Sequence, residues 1–382
     1  MIVIQSAEVG PERILKTDAL QPCLFRTARG TLFAHWHLSH RPGYDKPTHN
    51  VFLGVPDSAI SRDNGATWRH WAVPKEQLPG PITSGAIVEP PGSPIMIFEW
   101  MAEGPDENGV FNGKLWESTD DLQTVSGPLP FRVRIPNAVT GYDDAGEPYR
   151  ALTFHETVLA LPNGDLLAVV YGWLKGDDVS VAYQPRMRKT RCMCIRSSDR
   201  GRNWRFVSTV AEPADAETEE GFNESSLVRL SGGENAGRLL CVMRTGCYDG
   251  AIYCAHSDDE GATWSDPEPL PLMGVDPLLI EMNDGTLALT SGRRSRKAAA
   301  QENSVAFSAD QGRTWGCVAR LPLESYAVRS NETTCYIALC QTGPDELLAV
   351  YDVGHWDHLI RYVAARSLRL VRKSASMQPL SS

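Results

Sequence analysis

One eight-residue pattern recurs along the chain and limits what it can become. Ser257 to Trp264 reads Ser-x-Asp-x-Gly-x-Thr-Trp, and Ser61 to Trp68 and Ser308 to Trp315 repeat it. Ser197 to Trp204 differs by Asn203 at the Thr position. A worn copy, Ser118 to Thr124, lacks the Gly and the Trp. Recurrence of this kind marks a repeat protein. The residue types describe a turn. Ser and Asp side chains accept bonds from backbone N–H groups a few residues on, and Gly supplies a positive φ. Apolar residues lead into each copy, as in Ile252-Tyr253-Cys254-Ala255 and Val305-Ala306-Phe307. The motif therefore reads as a hairpin turn with Trp folded over it, placed outside any catalytic centre.

A second phrase recurs: a turn residue, then an apolar strand. It begins at Gly30, Gly164, Gly237 and Gly285, at Asp345 in the last repeat, and in a weak form at Gly92. Six phrases predict six units of four antiparallel strands, an all-β six-bladed β-propeller. Residues 1–373 are expected to form one domain, with the first residues, Ile2-Val3-Ile4, pairing into the last blade near Tyr362-Val363-Ala364-Ala365. Residues 374–382 read as a frayed tail.

The repeat frame predicts a site. Nine residues before each turn, counted from Gly233 in the fourth unit because Glu234 to Gly237 read as inserted, stand Gln21, Thr83, His155, Glu224, Asp276 and Tyr336 at the starts of the first strands. All are polar, although apolar strand residues follow. First strands of a propeller line its axis, so these positions converge on one mouth. Polar groups collected there are a candidate site, because burying them is unfavourable unless they are partnered. A second ring follows the turn by seven residues: His37, Tyr171, Arg244, Gly292 and Asp352, with Arg293 and Arg294 next to it.

With four such motifs on six predicted blades, the chain resembles the sialidase (neuraminidase) superfamily of Asp-box proteins over nearly its whole length. Glu224 to Arg244 resembles the family stretch holding a catalytic Glu and one arginine of a carboxylate-binding triad. Cys335-Tyr336-Ile337, running to Asp352, resembles the strand with the nucleophilic Tyr. The resemblance implies that Tyr336 attacks, Glu224 takes its proton and Arg244 holds an anionic group. A Tyr hydroxyl is weakly nucleophilic unless an adjacent base activates it. Asp45 is the loosest match to the family acid/base, with Asp57 as fallback, and His155 is an alternative acid/base. Gln21, His37, Tyr171, Asp276, Asp352, Arg293 and Arg294 are candidate substrate contacts. The chain departs from the family at two positions: Leu20 stands where the first arginine belongs, and Gln301 near the third. Arg26, Arg293, Arg294 or Arg296 are possible substitutes.

The expected function is a sialidase-like exo-glycosidase on an acidic sugar. The alternatives are a His-dependent uronate-directed hydrolase or lyase, and a non-catalytic glycan-binding propeller. The partner is then a carbohydrate. A net charge of −10 argues against nucleic acid or an anionic membrane, and no apolar run is long enough to span a bilayer. His35 and His37 share a strand face without a further ligand at metal spacing, so no metal and no cofactor is expected. The first residues lack the basic and apolar regions of a signal peptide. Nine scattered cysteines, several in apolar strands, suit buried thiols in a reducing compartment, so a cytoplasmic location is expected.

Overall fold

The computed structural model describes residues 2–38, 56–71, 84–246, 250–293, 302–323, 333–354 and 361–374. Among them there is no α-helix, and no helix long and apolar enough to cross a membrane. The chain is all-β. Its strands fall into six antiparallel units whose strands pair in chain order.

The first unit comprises Ala19–Arg26, Leu32–Leu38, Pro56–Ser61 and Arg69–His70. The second comprises Ser84–Val88, Ile95–Glu99, Val110–Ser118 and Ser126–Arg134. The third comprises Ala151–Ala160, Leu166–Leu174, Arg191–Ser197 and Asn203–Ala211. The fourth comprises Asn223–Arg229, Leu239–Arg244, Ala251–Ser257 and Glu268–Met273. The fifth comprises Leu279–Glu281, Leu287–Arg293, Glu302–Ser308 and Gly316–Leu321. In the sixth, Ile337–Gly343, Glu346–Val353 and the long strand Tyr362–Ser374 are completed by Ile2–Val9. This N-terminal strand runs from Ile2 opposite Ser374 to Val9 opposite Leu368, and Arg13–Thr17 also pairs with the long strand. The last strand thus extends nine residues past Ala365, and its outer edge is covered. An uncovered edge would be a template for aggregation.

Units two and three are not separate sheets. Ala86 pairs in parallel with Glu156 on the inner side, and Arg132 to Arg134 pair in parallel with Asn203 to Arg205 on the outer side. With the short strand Met101–Glu103 bridging them and Ala138–Val139 pairing on Leu166–Leu174, the two units form one ten-stranded sheet.

The apolar cores sit between units, one at each junction. Trp71 and Phe33 meet Ile97 and Trp116 between the first and second units. Phe98 and Phe131 meet Phe154 and Trp204 between the second and third. Val169 meets Phe222, Val242 meets Leu289, and Phe307 meets Tyr351 at the next three. Val350 and Val363 of the sixth unit meet Leu32 and Trp36 of the first. The sequence of contacts therefore closes on itself. Each unit alone would expose both faces of its sheet, so burial requires neighbours on both sides.

The repeated motif is the turn between third and fourth strands. In the first copy Gly65 N–H donates to Ser61 Oγ at 2.9 Å, and Thr67 donates to Asp63 through its N–H at 2.8 Å and its hydroxyl at 2.6 Å. These bonds hold the Asp63 carboxyl down at about 2. The worn copy makes the same turn: Leu122 N–H donates to Ser118 Oγ at 3.0 Å and Thr124 N–H to Asp120 at 2.8 Å. Leu122 occupies the glycine position at φ 63°, its side chain fully buried. In the fourth unit Asn223 pairs with Arg244 at one end and Leu239 with Ser257 at the other. The motif turns therefore lie at the end opposite the starts of the inner strands. The cysteines expected in the core, Cys194, Cys254 and Cys340, carry free thiols, and burial pushes all three up to about 12.

Candidate active site

The inner strands begin at one mouth, and four of the six predicted ring residues meet there. Tyr336, directly before Ile337–Gly343, donates its hydroxyl to Glu224 Oε1. Arg244 Nη1 lies 2.6 Å from the same oxygen. Glu224 Oε2 accepts the Asp276 N–H at 3.1 Å. Asp276 Oδ1 lies 3.3 Å from His155 Nε2, and its Oδ2 accepts the Ile337 N–H at 3.2 Å. The rings of His155 and Tyr336 are 6.4 Å apart. Gln21 is at the same level in the first unit, its N–H on Asp352 Oδ2 at 2.8 Å. Thr83 lies outside the described residues, as do Asp45, Arg294, Arg296 and Gln301.

A common device builds this mouth. Glu224 grips the backbone of the fifth unit, Asp276 that of the sixth, and Asp352 that of the first. The gripped segments carry non-glycine residues in the left-handed region: Asp276 at φ 49°, Cys335 at 73° and Gln21 at 50°. Such conformations each cost roughly 1–3 kcal/mol and persist only where the surroundings enforce them. The carboxylates supply that enforcement, and the kinked entry aims the first side chain of the strand across the mouth.

The second-ring residues lie beside the first. Leu20 pairs with His37, Thr153 with Tyr171, Asn223 with Arg244, and Val275 with Gly292. Gly292 is forced by space: a Cβ there would stand 1.8 Å from the Cys335 carbonyl oxygen. Arg293 ends its strand opposite Glu302 at the same end. Arg26, opposite Leu32, lies at the far end of its strand, away from the mouth. Asp352 is taken up by the protein itself: besides Gln21 it accepts Thr333 Oγ1 at 2.6 Å, Thr334 N–H at 2.8 Å and the Thr334 hydroxyl. Asp57 is buried on a third strand with Lys16 at 2.6 Å and His70 at 2.9 Å. The rings of His35 and His37 meet edge to face at 5.8 Å, and burial lowers them to about 3 and about 4, so both are neutral at pH 7.

Burial works against charge at Glu224, but the Arg244 guanidinium and the hydrogen bonds from Arg244 and Tyr336 more than reverse it. The carboxyl is held well below its ordinary range. Tyr336 moves the opposite way: burial first, then the charges of Glu224 and Asp276, push its hydroxyl well above 10. Burial lowers His155 despite the pull of Glu224, leaving the imidazole neutral. Ligand atoms of His155, Glu224 and Asp276 lie within 4.8 Å of one another, close enough to surround an ion. Glu224 already spends Oε1 on Arg244 and Tyr336 and Oε2 on Asp276. The Arg244 guanidinium already supplies positive charge at Glu224 Oε1.

Two features are absent from the sequence reading. Glu220, buried at the entry to the fourth unit, accepts Arg244 Nη2 and Asn223 Nδ2, each at 3.1 Å, and the Tyr183 hydroxyl at 2.5 Å. Its one legible signal was its place four residues before Glu224 in a Glu-Gly-Phe-Asn-Glu run. Asp144 sits in the hairpin between Gly141–Tyr142 and Pro148–Tyr149, just before the third inner strand. Its side chain reaches solvent, yet crowding by the surrounding protein pushes its carboxyl up, against the pull of Arg244. A turn-rich hairpin gave no hint that it returns over the mouth.

The fold is similar to those of several solved structures. It superposes on a protein of unknown function from Dyadobacter fermentans with a TM-score of 0.68 at 18% identity, covering 97% of this chain and 99% of that one. It is similar to the alpha-L-arabinanase of Penicillium chrysogenum complexed with arabinobiose, with TM-score 0.55, 14% identity, and 97% and 98% of the two chains covered. The Trypanosoma rangeli sialidase in complex with the inhibitor DANA matches with TM-score 0.58 at 13% identity, over 95% of this chain but 60% of that one. No curated protein matches. The BNR repeat-like domain family matches residues 74–336, more than half of the sequence. The chain belongs to this family of BNR repeat-like proteins.

Proposed function

We propose that the protein is a glycoside hydrolase built on a single six-bladed β-propeller closed by its N-terminal strand, with Tyr336 as nucleophile and Glu224 as its base. The hydrogen bond from Tyr336 to Glu224, in a buried cluster at one mouth, carries this reading. A glycan-binding module has no use for a phenol poised on an ionised carboxylate. The six units whose cores close into a ring, and the likeness to an arabinanase and a sialidase, support the scaffold.

In this mechanism Tyr336 Oη attacks the anomeric carbon and passes its proton to Glu224 while the glycosidic C–O bond breaks. In the resting site Glu224 disfavours the phenolate. A positive, oxocarbenium-like centre reverses that balance in the transition state, where stabilisation counts. Arg244, fixed between Glu220 and Glu224, holds the base in place. Asp144, with its raised carboxyl, protonates the leaving oxygen and then activates the water that releases the sugar. His155, neutral and packed on Asp276, orients that carboxylate.

A neutral glycone fits this site better than the expected acidic one. All three nitrogens of Arg244 are engaged, with Glu224, Glu220 and the Gly246 carbonyl, the last at 3.1 Å. Leu20 is fully buried at the position of the family's first arginine. A charge-assisted bond is worth ~1.5–3 kcal/mol, so two missing arginines weaken binding of a carboxylated transition state by roughly two to four orders of magnitude. The test is hydrolysis of aryl arabinofuranosides, uronides and sialosides, each repeated with Tyr336→Phe. Turnover of a neutral glycoside, abolished in the variant, is expected. Efficient sialoside hydrolysis would overturn the neutral-glycone reading, and activity surviving in Tyr336→Phe would overturn the nucleophile.

A further inference from the structure

Both loops that the third unit sends over the mouth form one fastened wall. The hairpin from Gly141 to Tyr149 precedes its inner strand, and the loop 175–190 follows its second strand. Arg186 lies 4.3 Å over the Tyr142 ring, Gln184 Nε2 donates to Asp144 O at 3.4 Å, and Arg188 Nη2 donates to Thr140 O at 2.7 Å. Trp173, buried beneath, donates to Arg188 O at 2.8 Å. At the inner edge of this wall stands Tyr183, 40% exposed, its hydroxyl on Glu220 at 2.5 Å. An unbroken line of polar contacts runs from Tyr183 through Glu220, Arg244 and Glu224 to Tyr336.

An aromatic ring fixed by its hydroxyl on Glu220 and partly open to solvent offers a flat apolar face beside a polar tip. That is the surface a sugar ring recognises through its C–H face, while its hydroxyls meet nearby acceptors. The surroundings set the charge of the occupant. Asp143, Asp144 and Glu147 crowd the hairpin tip. Three basic side chains of the wall are engaged: Arg186 on Tyr142, Arg188 by Asp178 at 3.7 Å, and Lys189 on the Thr218 carbonyl of the fourth unit's entry. A carboxylate arriving here meets acceptors and like charge.

We propose that this wall is a subsite for the neutral sugar ring on the leaving-group side of the scissile bond, with the face of Tyr183 as its platform. The proposal rests on the glycosidase reading, and it adds that the substrate is at least a disaccharide. The same Tyr183 steadies Glu220, so its ring and its hydroxyl have separable effects.

The test is calorimetric binding in a Tyr336→Phe background, which blocks turnover. Arabinobiose and lactose are titrated beside arabinose and galactose, with sialyllactose as a carboxylated control. Adding Tyr183→Ala is expected to weaken disaccharide binding about tenfold with little change for the monosaccharides. Tyr183→Phe, which keeps the ring, is expected to stay within about threefold of the parent. Three results would overturn the subsite: disaccharide affinity unchanged in Tyr183→Ala, equal loss for both sugar lengths, or equal loss in Tyr183→Phe. Absence of disaccharide binding in the parent would also overturn it. Release of fluoride from glycosyl fluorides by the wild-type enzyme, which needs no second ring, judges the glycosidase reading separately.

Discussion

Tyr336 and Glu224 lie 112 residues apart in the chain and share a hydrogen bond at the mouth of the structure. The pair comes from different units, the sixth and the fourth, with Asp276 of the fifth fixed between them. Glu224 holds the Asp276 backbone at 3.1 Å, and Asp276 holds the residue after Tyr336 at 3.2 Å. The proposed nucleophile, its proposed base and the support of both are therefore one connected object.

Removing the hydroxyl of Tyr336 tests the chemistry with little disturbance. Tyr336→Phe keeps the ring packing and leaves Glu224 paired with Arg244. Unfolding free energy should drop by only about 0.5–1.5 kcal/mol, one hydrogen bond's worth, while kcat falls by at least about a thousandfold. Glu224→Gln should lose as much activity but more stability, because it removes one of the two carboxylates that hold the buried Arg244 charge. Urea melts and steady-state kinetics on whichever glycoside is turned over give both numbers; near-normal kcat in either variant rejects the pair.

Gly292 is predicted to control activity without touching substrate. Its missing Cβ leaves room for the Cys335 carbonyl, so Gly292→Ala must push the segment carrying Tyr336. Overpacking of this kind typically costs about 1–3 kcal/mol. Melts should show that loss, and kcat should drop about tenfold or more, since small misplacements of reacting groups are amplified. Stability and kcat both at wild-type levels would mean that the sixth unit yields freely.

Asp352 gives a pH signature. Burial raises its carboxyl above the ordinary value, although bonds from Thr333, Thr334 and Gln21 oppose this. A folded pKa above the unfolded one means that its contribution is complete below the unfolded value, about 3.8. It is lost as pH rises through the raised value. The stability advantage of wild type over Asp352→Asn should therefore shrink as pH climbs out of the acid range. Urea melts at several pH values decide this; an advantage that grows with pH would refute it.

The motif turns should matter to stability alone. Asp199 is lowered: burial opposes this, but bonds from Asn203 and Ser197 outweigh it. A depressed carboxyl stabilises above its unfolded value, and the contribution fades as pH falls through the folded one. Asp199→Ala should lose about 0.5–1.5 kcal/mol at neutral pH and less in acid. Its kcat/KM should match wild type, because the turn lies at the end away from the mouth. A fall in kcat/KM without a fall in stability would place the turn in the active site.

The sequence by itself determined the repeat, and through it six four-stranded units, the turn at each motif copy and the level at which polar residues gather. These are legible because they rest on local physics: side chain-to-backbone bonds four residues apart, glycine conformations and strand periodicity. Even Leu122, which breaks the motif, follows the turn its Ser and Asp dictate. Tertiary structure decided what each polar residue does. Asp352 and Glu224 occupy related levels, yet one is spent on two threonines and a backbone amide and the other is left to face a tyrosine. Arg244 reads as an anion clamp in sequence, and the fold binds it between Glu220 and Glu224. Glu220, Asp144 and Tyr183 lie outside the repeat register, so no spacing rule could find them. Their positions follow from loops folding back over the mouth, where long-range electrostatics and burial assign roles that a sequence pattern does not encode.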